Sequence, residues 1–94
     1  MAIFSGIGKL FDQNNILIAE VSYNIKETLD MTGGLKKFRG SVKILKGGEK
    51  FWPMSSGTRF TLHLKDERKL DLYCSRREIT NSICDIEGQN GFYS

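Results

Sequence analysis

From Leu17 the chain alternates apolar and polar side chains over fifteen residues. Leu17, Ala19, Val21, Tyr23, Ile25, Leu29 and Met31 share one face, interrupted by Glu27, and Glu20, Ser22, Asn24, Lys26, Thr28 and Asp30 share the other. Period two with one apolar face is the signature of a half-buried antiparallel strand. Fifteen extended residues reach about 50 Å, wider than a small domain, so this strand has to bend or break, and the inward Glu27 marks the place. Thr32-Gly33-Gly34 turns the chain into a second strand whose inward face is Phe38, Gly40, Val42 and Ile44. A glycine inside a strand predicts a bulge or a tight barrel bend.

Residues 46–59 are irregular, and Pro53 argues against a central strand there. A hairpin follows. Phe60, Leu62 and Leu64 alternate with Thr61, His63 and Lys65; Asp66-Glu67-Arg68-Lys69 turns the chain; Leu70, Leu72 and Cys74 alternate with Asp71 and Tyr73. Ser75 and Glu78 have the spacing of a capping box, which predicts a short helical turn near 75–83, then a strand through Ile83-Cys84-Asp85-Ile86. Gly88-Gln89-Asn90-Gly91 then turns into a final Phe92-Tyr93. At the other end, Ile3, Phe4, Ile7, Leu10 and Phe11 recur at helical spacing, so a second helical turn is expected near 3–11, with residues 1–15 packing on or extending from the domain.

Five to six short strands with little helix define an all-β, mainly antiparallel class. A small β-barrel suits the long bent strand and Gly40 better than a barrel-like sandwich, since closure requires tilt and coiling. The expected core is Leu17, Val21, Tyr23, Ile25, Val42, Ile44, Phe60, Leu62, Leu64, Leu70, Leu72 and Ile86. The chain has 94 residues, 39% of them hydrophobic, which is room for one domain over 1–94 with a single core. No apolar run approaches the about 20 residues of a membrane-spanning helix, and the N-terminus lacks a basic signal-peptide region. A cytoplasmic protein that does not engage a membrane is expected. In that compartment Cys74 and Cys84, set among apolar neighbours, are read as buried free thiols, with a Cys74–Cys84 bridge as the alternative.

The side-chain inventory narrows the chemistry. The only imidazole, His63, faces outward on its strand while Cys74 faces inward, so neither a metal site nor a cysteine–histidine nucleophile can form in that register. Serine-hydrolase and phosphate-loop motifs are absent. Asp85 and Glu87 share one strand face, as carboxylate pairs do in any all-β protein, and Glu27, as an inward carboxylate, is the better acidic candidate for a site, against a solvated place at the barrel mouth. No catalytic set, cofactor or metal is expected. Charge is more informative. Residues 1–35 and 70–94 each carry a net −2, and residues 36–69 carry +7. Lys37, Arg39 and Lys43 share the outward face of the second strand, near Trp52. Cations beside aromatics suit weak, sequence-tolerant binding of RNA or single-stranded DNA. The bland alternative is a solvated face that guards a strand edge.

Three apolar groups fall outside the strand pattern: Ile3, Phe4, Ile7, Leu10 and Phe11; Phe51-Trp52-Pro53-Met54; and Phe92-Tyr93. Surplus apolar surface marks an interface, and aromatics are enriched in interfaces. The leading expectation is therefore a non-catalytic protein-interaction or assembly module acting through Phe4, Ile7, Phe11, Trp52 and Phe92. A homodimer is its simplest assembly. The competing expectation is that these groups plug the two ends of the barrel.

Overall fold

The computed structural model describes residues 2–29, 36–53 and 57–93. The expected turn at Thr32-Gly33-Gly34 and the apolar Met31 and Met54 lie outside these residues. Six antiparallel strands, β1 (Ala2–Phe11), β2 (Leu17–Leu29), β3 (Lys36–Lys46), β4 (Arg59–His63), β5 (Lys69–Glu78) and β6 (Ile83–Tyr93), close into a barrel in the order β1-β2-β3-β6-β5-β4. One turn of helix, α1 (Gly48–Phe51), follows β3, and a 3₁₀ turn (Ile79–Asn81) joins β5 to β6.

The alternating residues of β2 to β6 point inward as the pattern demands. Val21, Tyr23, Ile25, Val42, Ile44, Phe60, Leu62, Leu64, Leu70, Leu72 and Ile86 form one buried cluster, joined by Leu10, Phe38 and Phe51. Leu17 is the exception at 43% exposed. Leu10 pairs with Ala19 but Phe11 pairs with Leu17, so Ile18 is an extra residue. The bulge buries Ile18 and Ala19 consecutively and flips Leu17 outward. A similar shift leaves Leu45 unopposed between the Glu20–Lys46 and Val21–Ile44 pairs, and Leu45 too is exposed. β2 continues through Glu27 rather than breaking there, and Glu27 sits half-buried opposite Phe38.

The helical segment predicted near 3–11 is corrected, while the short helical turn expected near 75–83 is present but confined to the 3₁₀ turn Ile79–Asn81. Residues 2–11 are a strand whose inward positions are Phe4, Gly6, Gly8 and Leu10. Two glycines on that face disguised the alternation, and the outward isoleucines completed a false helical stripe. β5 runs on to Glu78, leaving only the 3₁₀ turn. Ser75 is the bulged residue between the Cys74–Ile86 and Arg76–Asp85 pairs, and its hydroxyl donates to the Asp85 carbonyl at 3.3 Å instead of capping a helix. The expected turn at 88–91 is likewise a shift within a continuous β6, where Leu70 pairs with Phe92 and Asp71 with Gln89.

The cysteine expectation is half corrected. Cys74 and Cys84 are buried, but their sulfurs are joined as a disulfide, with Cα atoms 6.2 Å apart. The cause is register. The Ser75 bulge pairs Cys84 with Arg77, which sets the two cysteines diagonally across β5 and β6.

Candidate interaction surface

The apolar groups outside the strand pattern divide between barrel plugs and open surface. At the end where β1 begins, the Phe92 ring lies 4.7 Å from Phe4 and 4.8 Å from Phe38, edge to face. The Arg68 guanidinium covers both Phe4 and Phe92, at 4.9 and 4.7 Å from the ring centroids, and is itself held by Asp66 at 2.6 Å. Phe4 and Phe92 are partly buried against the core. At the opposite end α1 drops the fully buried Phe51 onto Phe60, with Trp52 packed edge-on at 4.9 Å. Arg77 clasps this plug by donating from Nη1 to the Trp52 carbonyl at 2.8 Å, while its Nε and Nη2 are buried with no hydrogen-bond partner among the described residues. Neither arginine clasp had a signal in the sequence, because each depends on where a turn or a bulge places a guanidinium.

β1 is different. Its outward face carries Ile3 and Ile7, 66% and 61% exposed, with Ser5 between them. Phe11, further along, is half-buried beside the His63 ring at 4.1 Å. Burial and the adjacent Lys69 ammonium hold the His63 imidazole below the ordinary histidine range.

The seam that closes the barrel is short. β1 meets β4 only through Lys9–His63, Leu10–Leu62 and Phe11–Thr61, whereas its other edge pairs with β2 from Ala2 onward. Over the seven residues Ala2–Gly8 the β4 side of β1 therefore has no strand partner among the described residues. Tyr23 fills this gap from within. Gly6 and Gly8 let its ring lie beneath β1, since a Cβ at either position would meet the ring or hydroxyl at 3.0–3.3 Å. The Tyr23 hydroxyl accepts the Lys65 backbone N–H at 3.3 Å. Outside, Ile7, Lys9, Glu20, His63, Lys65 and Lys69 surround a groove of about 400 Å³.

Other unpaired edges are shorter among the described residues. On β5 it is Cys74–Glu78, which carries Arg76, Arg77 and Glu78, and on β6 it is Gln89–Tyr93, beside a register shift. Further exposed apolar side chains, Ile16, Leu17, Leu45 and Ile79, lie toward the far end of the barrel.

Lys37, Arg39 and Lys43 occupy alternate outward positions on β3, with Lys26 of β2 opposite Arg39. The other flank is acidic. Arg39 forms an ion pair with Glu87 at 3.1 Å, and Glu87 also accepts the Tyr73 hydroxyl at 2.7 Å. Asp85 lies exposed on the same strand, opposite Ser41. Trp52 belongs to the α1 plug at the barrel end. Among the described residues no three His, Cys, Asp or Glu side chains converge as a metal site requires, and no helix is long and apolar enough to cross a membrane. The chain matches no known family model, curated protein or solved structure.

Proposed function

We propose that this barrel is a non-catalytic contact module that binds another protein through β1, and that a second copy of the chain is its simplest partner. One observation carries the reading: on β1 an unpaired main-chain edge of seven residues coincides with two exposed isoleucines. An open edge offers hydrogen bonds to an incoming strand, and apolar side chains on the same strand add burial. The interacting set named from the sequence, Phe4, Ile7, Phe11, Trp52 and Phe92, narrows on this reading to Ile7, with Ile3 beside it. Phe4, Trp52 and Phe92 support the fold as plugs.

Sedimentation velocity across the micromolar range tests this. The wild-type chain is expected to gain mass with concentration, and Ile3→Lys/Ile7→Lys to stay monomeric with an unchanged circular dichroism spectrum. A wild-type chain that stays monomeric throughout refutes self-association. The basic face supports a second reading, weak binding of RNA or single-stranded DNA, because Lys26 extends the row of Lys37, Arg39 and Lys43 across two strands. That reading requires an oligonucleotide shift at low salt that fades steeply as salt rises, and no shift at low salt ends it.

A further inference from the structure

We infer that two copies of the chain join β1 to β1 about a two-fold axis through Ser5, making one continuous sheet across two barrels. This rests on the contact reading above and adds to it a partner, a symmetry and a register.

Natural edge strands are guarded by charge, proline or bulges. The first eight residues, Met1 to Gly8, contain no charged residue and no proline, and the β1–β2 pairing is regular from Ala2 to Leu10. The unpaired edge is thus regular and carries no charge or proline of its own. The stem of Lys65 rests beside Gly6, Arg68 covers Phe4, and the His63 carbonyl lies against Gly8; the two side chains can swing aside, and the incoming strand stops short of Gly8.

Symmetry then restricts the register. Directly opposed residues of an antiparallel pair point to the same face, and a two-fold normal to the sheet keeps both outward faces on one side. The axis must therefore pass through a residue. Centred on Ser5, Ile3 of each copy meets Ile7 of the other, Ser5 meets Ser5, and on the inner face the large Phe4 meets Gly6. Centred on Phe4, Ile3 faces Ser5; centred on Gly6, Ile3 faces Lys9 and Ser5 faces Ile7. Only the Ser5 axis buries both isoleucines against each other. A one-residue slip would expose them again. A ladder of this length lies at the small end of specific interfaces, so association in the micromolar range is expected rather than an obligate dimer.

Single-cysteine cross-linking reads the register directly. Opposed Cβ atoms lie about 5 Å apart, whereas the two copies of Ile3, four positions out of step, lie about 13 Å apart. Under mild oxidation Ser5→Cys is expected to give a covalent dimer. Ile3→Cys and Ile7→Cys alone are expected to stay monomeric, and their equimolar mixture to link. All three positions are exposed, and circular dichroism checks each fold. Self-linking by Ile3→Cys or Ile7→Cys overturns the register. Absence of any link in a chain that sediments as a dimer overturns the β1 edge while leaving a contact module in place. A strict monomer overturns the β1–β1 pairing and self-association with it.

Discussion

Gly40 is where the barrel is most intolerant of added volume on its inner wall, and replacing it by alanine tests how tightly β2 and β3 are coiled together. Gly40 lies between Ile25 of β2 and Ile86 of β6. A Cβ there would come within 2.0 Å of the Asn24 carbonyl oxygen and 2.9 Å of the Ile25 Cα. A carbon and a carbonyl oxygen in contact ordinarily keep about 3.3 Å, so the two strands must part by more than about 1 Å. The obstructing atoms are backbone and cannot rotate away. Overpacking of this kind costs about 1–3 kcal/mol, and weakening the two neighbouring ladder hydrogen bonds adds about 1–3 kcal/mol. A loss of about 4 kcal/mol is expected, from a total that for a chain this size is about 5–14 kcal/mol. Gly57 is the control: a methyl group there would meet no atom of the described residues within 4 Å, but the residue sits at φ +86°, so its alanine variant bears a left-handed backbone cost of about 1–2 kcal/mol. Urea unfolding followed by the fluorescence of the single tryptophan, Trp52, measures both. A Gly40→Ala protein no less stable than Gly57→Ala would refute the close approach of β2 and β3.

Three further outcomes follow from the packing and the charges. Phe51→Ala empties the plug between Phe60, Trp52 and Arg77 and is expected to cost about 3–5 kcal/mol in the same urea assay. The lowered His63 pKa means the unfolded chain takes up its proton more readily than the folded one. Stability is therefore full at neutral pH and falls as pH drops from about 6.5, and His63→Phe, which keeps a ring beside Phe11, should flatten that fall. The Cys74–Cys84 bridge closes a short loop, with a sequence separation of 10. Reduction should cost about 2–3 kcal/mol, and thiol titration of the unreduced protein in denaturant should find no free thiol.

The barrel was legible in the sequence wherever alternation ran undisturbed, from Val21 to Ile25, Phe38 to Ile44 and Phe60 to Leu72. It failed where an extra residue changes the phase. Ile18 displaced Leu17 from the core, and Ser75 bulged where its spacing to Glu78 imitated a helix cap. β1 was hidden for another reason: Gly6 and Gly8 occupy inward positions and have no side chain to register there, while Ile3 and Ile7 lie outside. Those features are what make β1 a candidate contact surface, since the glycines admit Tyr23 beneath the strand and the isoleucines are left to solvent. The disulfide could not be chosen over free thiols without the β5–β6 register. The basic row on β3 was legible by position, but its Glu87 counter-charge comes from a neighbour that only strand order reveals.

Amide hydrogen exchange, followed residue by residue at rising protein concentration, tests self-association through β1 most directly. The amides of Ala2–Gly8 that point away from β2 are expected to exchange quickly in dilute solution and to gain protection as concentration rises. Those of β3 around Lys37–Lys43 and the exposed positions at Leu17 and Leu45 should not change. Exchange across Ala2–Gly8 that is equally fast in dilute and concentrated protein, or protection gained only elsewhere, would contradict it.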